Sequence, residues 1–201
     1  NLRKMGVPPY PSATLLEMIN NVGVTKWPPA YNFVLLAWGN LVGWSEIATR
    51  TLSLLMGVLS IAMMYRLGIA FHSRRVGMIS ILLLSTSVFF IFYAHEVRGY
   101  IQYLFLTITV LFLYWRQSHQ TRLHWTDNIL FLVATIMLIY THYVALYIVF
   151  AIGVYHLLFA PRINQWGKQL RGLMFVGIAY LPWVAIAVLN AIGETIKDRG
   201  L

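Results

Sequence analysis

Six apolar runs, at 52–71, 76–93, 101–115, 129–140, 143–160 and 173–189, follow one another with only short polar or basic breaks between them. That succession constrains the fold more than any single motif. A membrane-spanning helix needs about 20 mostly apolar residues, range roughly 17 to 25, and flanking Trp, Tyr and polar side chains extend the shorter runs into the interface. With 59% hydrophobic and 10% charged residues and a mean hydropathy of +0.69, the chain is too apolar for a soluble domain of its length. The expected fold class is therefore all-α: a polytopic membrane protein with six transmembrane helices, one per run, plus an outer-loop, interfacial helical segment.

The formal net charge is +9, but the basic residues are dispersed in short clusters between apolar runs, which argues against a nucleic-acid partner and for topology signals. Arg66 with Arg74 and Arg75, Arg116 with Arg122, and Arg162 with Lys168 and Arg171 form three such clusters, all expected to face the cytoplasm. Loops on one side are separated by an even number of crossings, so turns are required near 95–99 and 141–143, on the opposite side. A single helix over 129–160 would be about 48 Å long, well beyond a hydrocarbon core of about 30 Å, so two spans fit that stretch better. Arg3, Lys4, Lys26, Arg50, Lys197 and Arg199 then lie outside or at the outer interface. The absence of cysteine excludes disulfides and thiolate metal sites. The first residue is Asn1, with no initiator Met and no signal peptide, and the expectation is that sequence upstream of it is missing.

Ahead of the first run the pattern changes. Val7-Pro8-Pro9-Tyr10-Pro11 is stiff and extended, and a helix start follows at Ser12 to Glu17. Trp27-Pro28-Pro29-Ala30-Tyr31 then leads into 32–44, too short to span and expected to lie in the interface. Gly39 and Gly43 have the GxxxG spacing that permits close helix contact, and Pro182 is expected to kink the last span. The domain reading is an outer loop with interfacial helices over 1–50, a six-helix membrane domain over 51–190 and an outer tail over 191–201.

The chemistry is concentrated in Ala94-His95-Glu96-Val97-Arg98-Gly99-Tyr100, where a histidine, a carboxylate and a guanidinium are confined between two apolar runs. Such a triplet either closes a turn at the water interface, with Glu96 and Arg98 as a local ion pair, or lines a polar pocket. His95 and His142 fall on the same expected side and, with Glu96, carry ligand types suited to a divalent metal, although their spacing is not that of a tight ligand set. His72, His119, His124 and His156 fall at the cytoplasmic ends and read as solvated or snorkelling. Glu46 and Arg50, four apart, read as an ordinary helix-surface pair.

Four stretches in order, Trp27 to Phe33, Ser45-Glu46-Ile47-Ala48-Thr49-Arg50, Tyr93 to Tyr100, and Tyr140-Thr141-His142-Tyr143, resemble the GT-C superfamily of integral membrane glycosyltransferases, specifically relatives of the protein mannosyltransferases and aminoarabinose transferases. The resemblance implies an outward-facing site in a prokaryotic cytoplasmic membrane, where a sugar passes from a polyprenyl-phosphate carrier to an acceptor. It implies a catalytic carboxylate in the first outer loop, upstream of this chain, and cationic groups or a metal at the leaving phosphate. On that basis Glu96, Arg98, Tyr100 and Lys26 are candidates for the donor phosphate, and His95, His142, Tyr143, Trp27 and Tyr31 for the substrate pocket. Trp27 stands where the family often has histidine. A second reading stays open: a non-catalytic GT-C-like scaffold subunit packed against membrane protein partners. A small transporter fits less well, because paired halves with matching broken helices are absent from the sequence. Membrane lipids are partners in either case.

Overall fold

The structure, a computed structural model, describes residues 28–119, 125–161 and 166–198. These form eight helices: α1 Ala30–Val42, α2 Glu46–Phe71, α3 Arg74–Ser85, α4 Val88–Ala94, α5 Tyr100–His119, α6 Trp125–Ile139, α7 Ala145–Leu158 and α8 Trp166–Asp198. Among the described residues there is no strand. Each of the six apolar runs is helical, and the two turns required by the charge pattern fall at 95–99 and 140–144.

Local chemistry sets the boundaries. The Ser45 hydroxyl accepts from the Ala48 N–H at 3.1 Å, with Glu46 in the first turn of α2 favouring the positive end of the helix dipole. Ser73 caps α3 in the same way. The run over 76–93 is not one span as the sequence suggests, because α3 and α4 meet at 65° across Thr86 and Ser87. There Thr86 and Ser85 donate their hydroxyls back to the Leu82 carbonyl at 2.8 and 3.1 Å, a local competitor to the helical ladder.

Among the described residues, fewer helices meet the length and apolarity of a span than the six expected. α2 and the 166–189 part of α8 do so alone, and the bent α3–α4 pair brings the number to three. The physical reason is length and polarity: α6 and α7 have 15 and 14 residues, and α5 carries Gln102, Arg116 and Gln117 within its 20. α8 continues as helix through Pro182.

The chain reverses at each turn, so 28–31, 95–99 and 140–144 gather at one end of the bundle and 72–75, 119, 158–161 and 166–171 at the other. The main core lies among α5, α6, α7 and α8 around Val110, Leu138, Ile139 and Val176. A smaller one joins Tyr31, Leu35 and Leu52. Leu82, Phe89, Phe150 and Ile178 point outward and are exposed, the apolar surface that lipid requires of a bundle.

Two expectations about particular residues are corrected. His156 is fully buried, lying 3.0 Å from the Tyr114 hydroxyl and 3.0 Å from the Trp166 carbonyl, so it ties α5, α7 and α8 together rather than meeting solvent. His72 and His119 are exposed, and His124 lies outside the described residues. Gly39 and Gly43 do not pair helices. A β-carbon on Gly39 would stand 2.5 Å from the Trp44 ring, and Gly43 takes a φ of +101° to end α1, so both serve a turn. Close helix approach occurs instead at Gly68, where a β-carbon would fall 2.7 Å from the Cα of Gly77.

Candidate functional site

The bend between α4 and α5 is held from three sides. The Ser53 hydroxyl of α2 donates to the Glu96 carbonyl at 2.8 Å, Val97 packs on the Tyr31, Leu35 and Leu52 cluster, and the Tyr103 N–H starts α5 on the Gly99 carbonyl at 2.8 Å. With Val97 turned inward, its neighbours Glu96 and Arg98 stand at the surface. Their Oε2 and Nε are 3.7 Å apart, with side chains 41% and 56% exposed respectively. The guanidinium is thus presented to whatever lies over this end of the bundle, beside a single carboxylate.

The other sequence stretches converge on the same bend. Ala30 donates its N–H to the Tyr140 carbonyl at 2.8 Å, bringing Pro28-Pro29-Ala30-Tyr31 onto the α6–α7 turn. Gly99 fits between them: a β-carbon there would lie 3.2 Å from the Tyr31 Cβ and 3.5 Å from the Thr141 methyl. Behind it, buried Gln102 donates to the Thr141 hydroxyl at 3.0 Å, and Thr141 donates to the Met137 carbonyl. The rings of Tyr100 and Tyr103 each lie 5.7 Å from the His142 ring, and Tyr93 lies 4.5 Å from Tyr100. The result is an aromatic shelf beside Arg98.

Protonation on this shelf follows from burial. His142 accepts at Nδ1 from the Val144 N–H at 3.2 Å, which in the neutral ring puts its proton on Nε2. Burial also holds the imidazole below its ordinary range, so His142 is a neutral donor rather than a fixed cation. Burial pushes the Tyr31 phenol up to about 12 against an opposing contribution from Ser53. The Tyr31 hydroxyl has no hydrogen bond of good geometry, since Ser53 directs its own hydroxyl to Glu96. Gln102 Oε1 is likewise buried and unpartnered.

The structure therefore brings together Tyr31, Glu96, Arg98, Tyr100 and His142. His95 is turned away, its Nδ1 2.7 Å from the Ile91 carbonyl of its own helix. Tyr143 packs on the α5–α8 core, with its phenol pushed up by burial. Lys26 and Trp27 lie outside the described residues. Among the described residues no three His, Asp or Glu side chains come together as a metal site, so His95, Glu96 and His142 do not form one. Sequence reasoning missed Ser53, Gln102 and Tyr103. The signal for Gln102 was present, because an amide inside an apolar run requires a partner.

A family model described as dolichyl-phosphate-mannose-protein mannosyltransferase matches residues 26–187. No curated protein and no solved structure matches the chain.

Proposed function

Taking as premise that this chain belongs to the dolichyl-phosphate-mannose-protein mannosyltransferase family, membrane glycosyltransferases of the GT-C type, we propose that it transfers a sugar from a polyprenyl-phosphate-linked donor to an acceptor. The reaction takes place at the end of the bundle that carries Glu96 and Arg98, on the outer face of a prokaryotic cytoplasmic membrane. The membrane domain is the 51–190 region, with 1–50 and 191–201 on the outer side. The observation that carries this reading is the convergence of 28–31, 93–100 and 140–143 on Gly99, next to the exposed Arg98, at the end opposite Arg74, Arg75, Lys168 and Arg171.

In the transfer an acceptor oxygen attacks the anomeric carbon, the bond from that carbon to the phosphate oxygen breaks, and the acceptor proton leaves to a base. Negative charge grows on the departing lipid phosphate. Arg98 offers a forked donor to that charge at a low-dielectric boundary, where such a contact contributes most. Glu96, 3.7 Å away, orients the guanidinium before donor binds. Tyr100 supplies a neutral donor on the shelf beside it, reaching the phosphate or the sugar hydroxyls. The base is assigned to no residue described in the structure.

The test is transfer of a radiolabelled sugar from polyprenyl phosphate in membranes carrying the full-length protein. Arg98→Ala and Glu96→Ala are expected to abolish transfer with expression and insertion unchanged, and Arg98→Lys to restore only part of it. Full turnover in both alanine variants would remove the assignment. Cysteines at Arg98 and His119 are expected to label from opposite sides of the membrane, Arg98 from outside. Labelling of both from one side overturns the sidedness. The second reading, a scaffold subunit, is favoured by Trp27 standing where relatives often have histidine, and it requires no turnover in the unaltered chain either.

A further inference from the structure

At the opposite end of the bundle, between the end of α2 and the facing sides of α5 and α7, lies a cavity of about 280 Å³. Its walls include Phe71, Leu111, Trp115, Ile148, Ala151 and Tyr155. The cavity reaches the bundle surface, since Phe71 and Tyr155 are 46% and 39% exposed. Its lining offers water almost no hydrogen-bond partners, so an apolar guest suits it better than water does. The rim is aromatic. Trp115 meets Phe71 edge-on at 4.6 Å, donates to the Ala70 carbonyl at 2.9 Å and stacks at 3.9 Å on His119. Amphipathic rings of this kind mark the level where hydrocarbon gives way to headgroups.

Just past that rim the exposed charge is of one sign. Arg74 and Arg75 open α3 three and four residues past Phe71, Arg66 lies on α2 itself, and Lys168 and Arg171 open α8, all exposed. The carboxylate described at this end, Asp127, is 8% exposed and paired with Arg116, so it does not offset them. A hydrocarbon-lined slot whose Phe71 end is followed within four residues by two exposed arginines is complementary to a molecule with an apolar chain and an anionic head.

We infer that this slot is a binding site for an anionic phospholipid, with an acyl chain against Phe71, Leu111, Ile148 and Ala151 and its phosphate held by Arg74 and Arg75. The site is separate from the Glu96–Arg98 shelf, at the other end of α5, and does not depend on the reading of that shelf. Bound there, the lipid fills the gap between α2 and α7 that the protein's own side chains leave open.

The experiment uses the purified full-length protein in detergent, titrated with phosphatidylglycerol or phosphatidylcholine brominated on the acyl chain. The readout is quenching of Trp115, obtained as the difference from Trp115→Phe, with retained lipid counted by native mass spectrometry. Phosphatidylglycerol is expected to bind roughly tenfold more tightly than phosphatidylcholine. Arg74→Gln with Arg75→Gln is expected to abolish that preference, and Ala151→Leu to reduce quenching by both lipids. Equal binding of the two lipids by the unaltered protein overturns the proposal without recourse to any variant. Displacement of phosphatidylglycerol by unlabelled polyprenyl phosphate also overturns it, since the slot would then belong to the sugar donor.

Discussion

The Ser53 hydroxyl donates to the Glu96 carbonyl at 2.8 Å, joining residues 43 positions apart. Through this bond the long helix α2 fixes the height of the bend that carries Glu96 and Arg98. Ser53 is 2% exposed, so Ser53→Ala leaves a carbonyl without its donor in a site that water does not readily reach, a loss of about 1–3 kcal/mol. The expected outcome is a lower Tm together with faster amide exchange at 96–99 and little change at 110–118. Unchanged exchange in the bend would mean that the packing of Val97 alone holds it.

Gly99 makes a complementary case. Its φ is not positive, so alanine there is conformationally acceptable and the effect is one of space. The added carbon would stand 3.2 Å from the Tyr31 Cβ, an atom fixed to the backbone of α1 and unable to swing aside. Gly99→Ala is expected to destabilise by about 1–3 kcal/mol through overpacking, and Gly99→Val by more. Thermal unfolding of the two variants in one detergent checks the order, and a neutral Gly99→Ala would show that α1 moves freely against the bend.

The helices and turns were legible because apolar runs and basic clusters are local signals, and 95–99 and 141–143 fell where charge parity put them. The span count was not, because hydropathy averages over Ser85-Thr86-Ser87, where the Ser85 and Thr86 hydroxyls bond back to the Leu82 carbonyl and the helix bends by 65°. Arg98, Glu96 and Tyr31 could be singled out as polar or aromatic groups in an apolar setting. Ser53 and Gln102 could not be placed, since their partners Glu96 and Thr141 lie 43 and 39 residues away and no local pattern encodes such pairs. His156 was misread for the same reason: its partner Tyr114 is 42 residues distant, and only the packed bundle brings them together.

His142 gives the fold a defined pH dependence. Burial lowers its imidazole in the folded state, so between that lowered value and the ordinary value of about 6.5 the unfolded chain binds more protons than the folded one. Its contribution to stability is therefore complete above about pH 6.5 and is lost as the pH falls through that window. His142→Asn, which keeps a polar group under the Val144 N–H but does not titrate, is expected to show a shallower acid-side fall in Tm than the parent between pH 8 and 5. Identical slopes for the two proteins would assign the acid sensitivity elsewhere.

Distance alone ranks the ion pairs wrongly, and burial reverses the order. Glu46 and Arg50 approach to 2.7 Å but are 76% and 50% exposed, which limits such a pair to about 0.3–0.5 kcal/mol. Arg116 and Asp127 are longer at 3.4 Å, yet Asp127 is 8% exposed, and Gln117 donates to its backbone carbonyl at 2.9 Å. Removing Arg116 takes the ion-pair partner from a mostly buried carboxylate in the first turn of α6, a loss of about 1–3 kcal/mol. Arg116→Ala should thus lower Tm by many degrees while Arg50→Ala barely moves it. Adding Asp127→Asn to Arg116→Ala should recover part of the loss, because the buried charge is removed with its partner. Equal Tm for Arg116→Ala and Arg50→Ala would show that solvent reaches Asp127 and that the basic end of the bundle is looser than its packing implies.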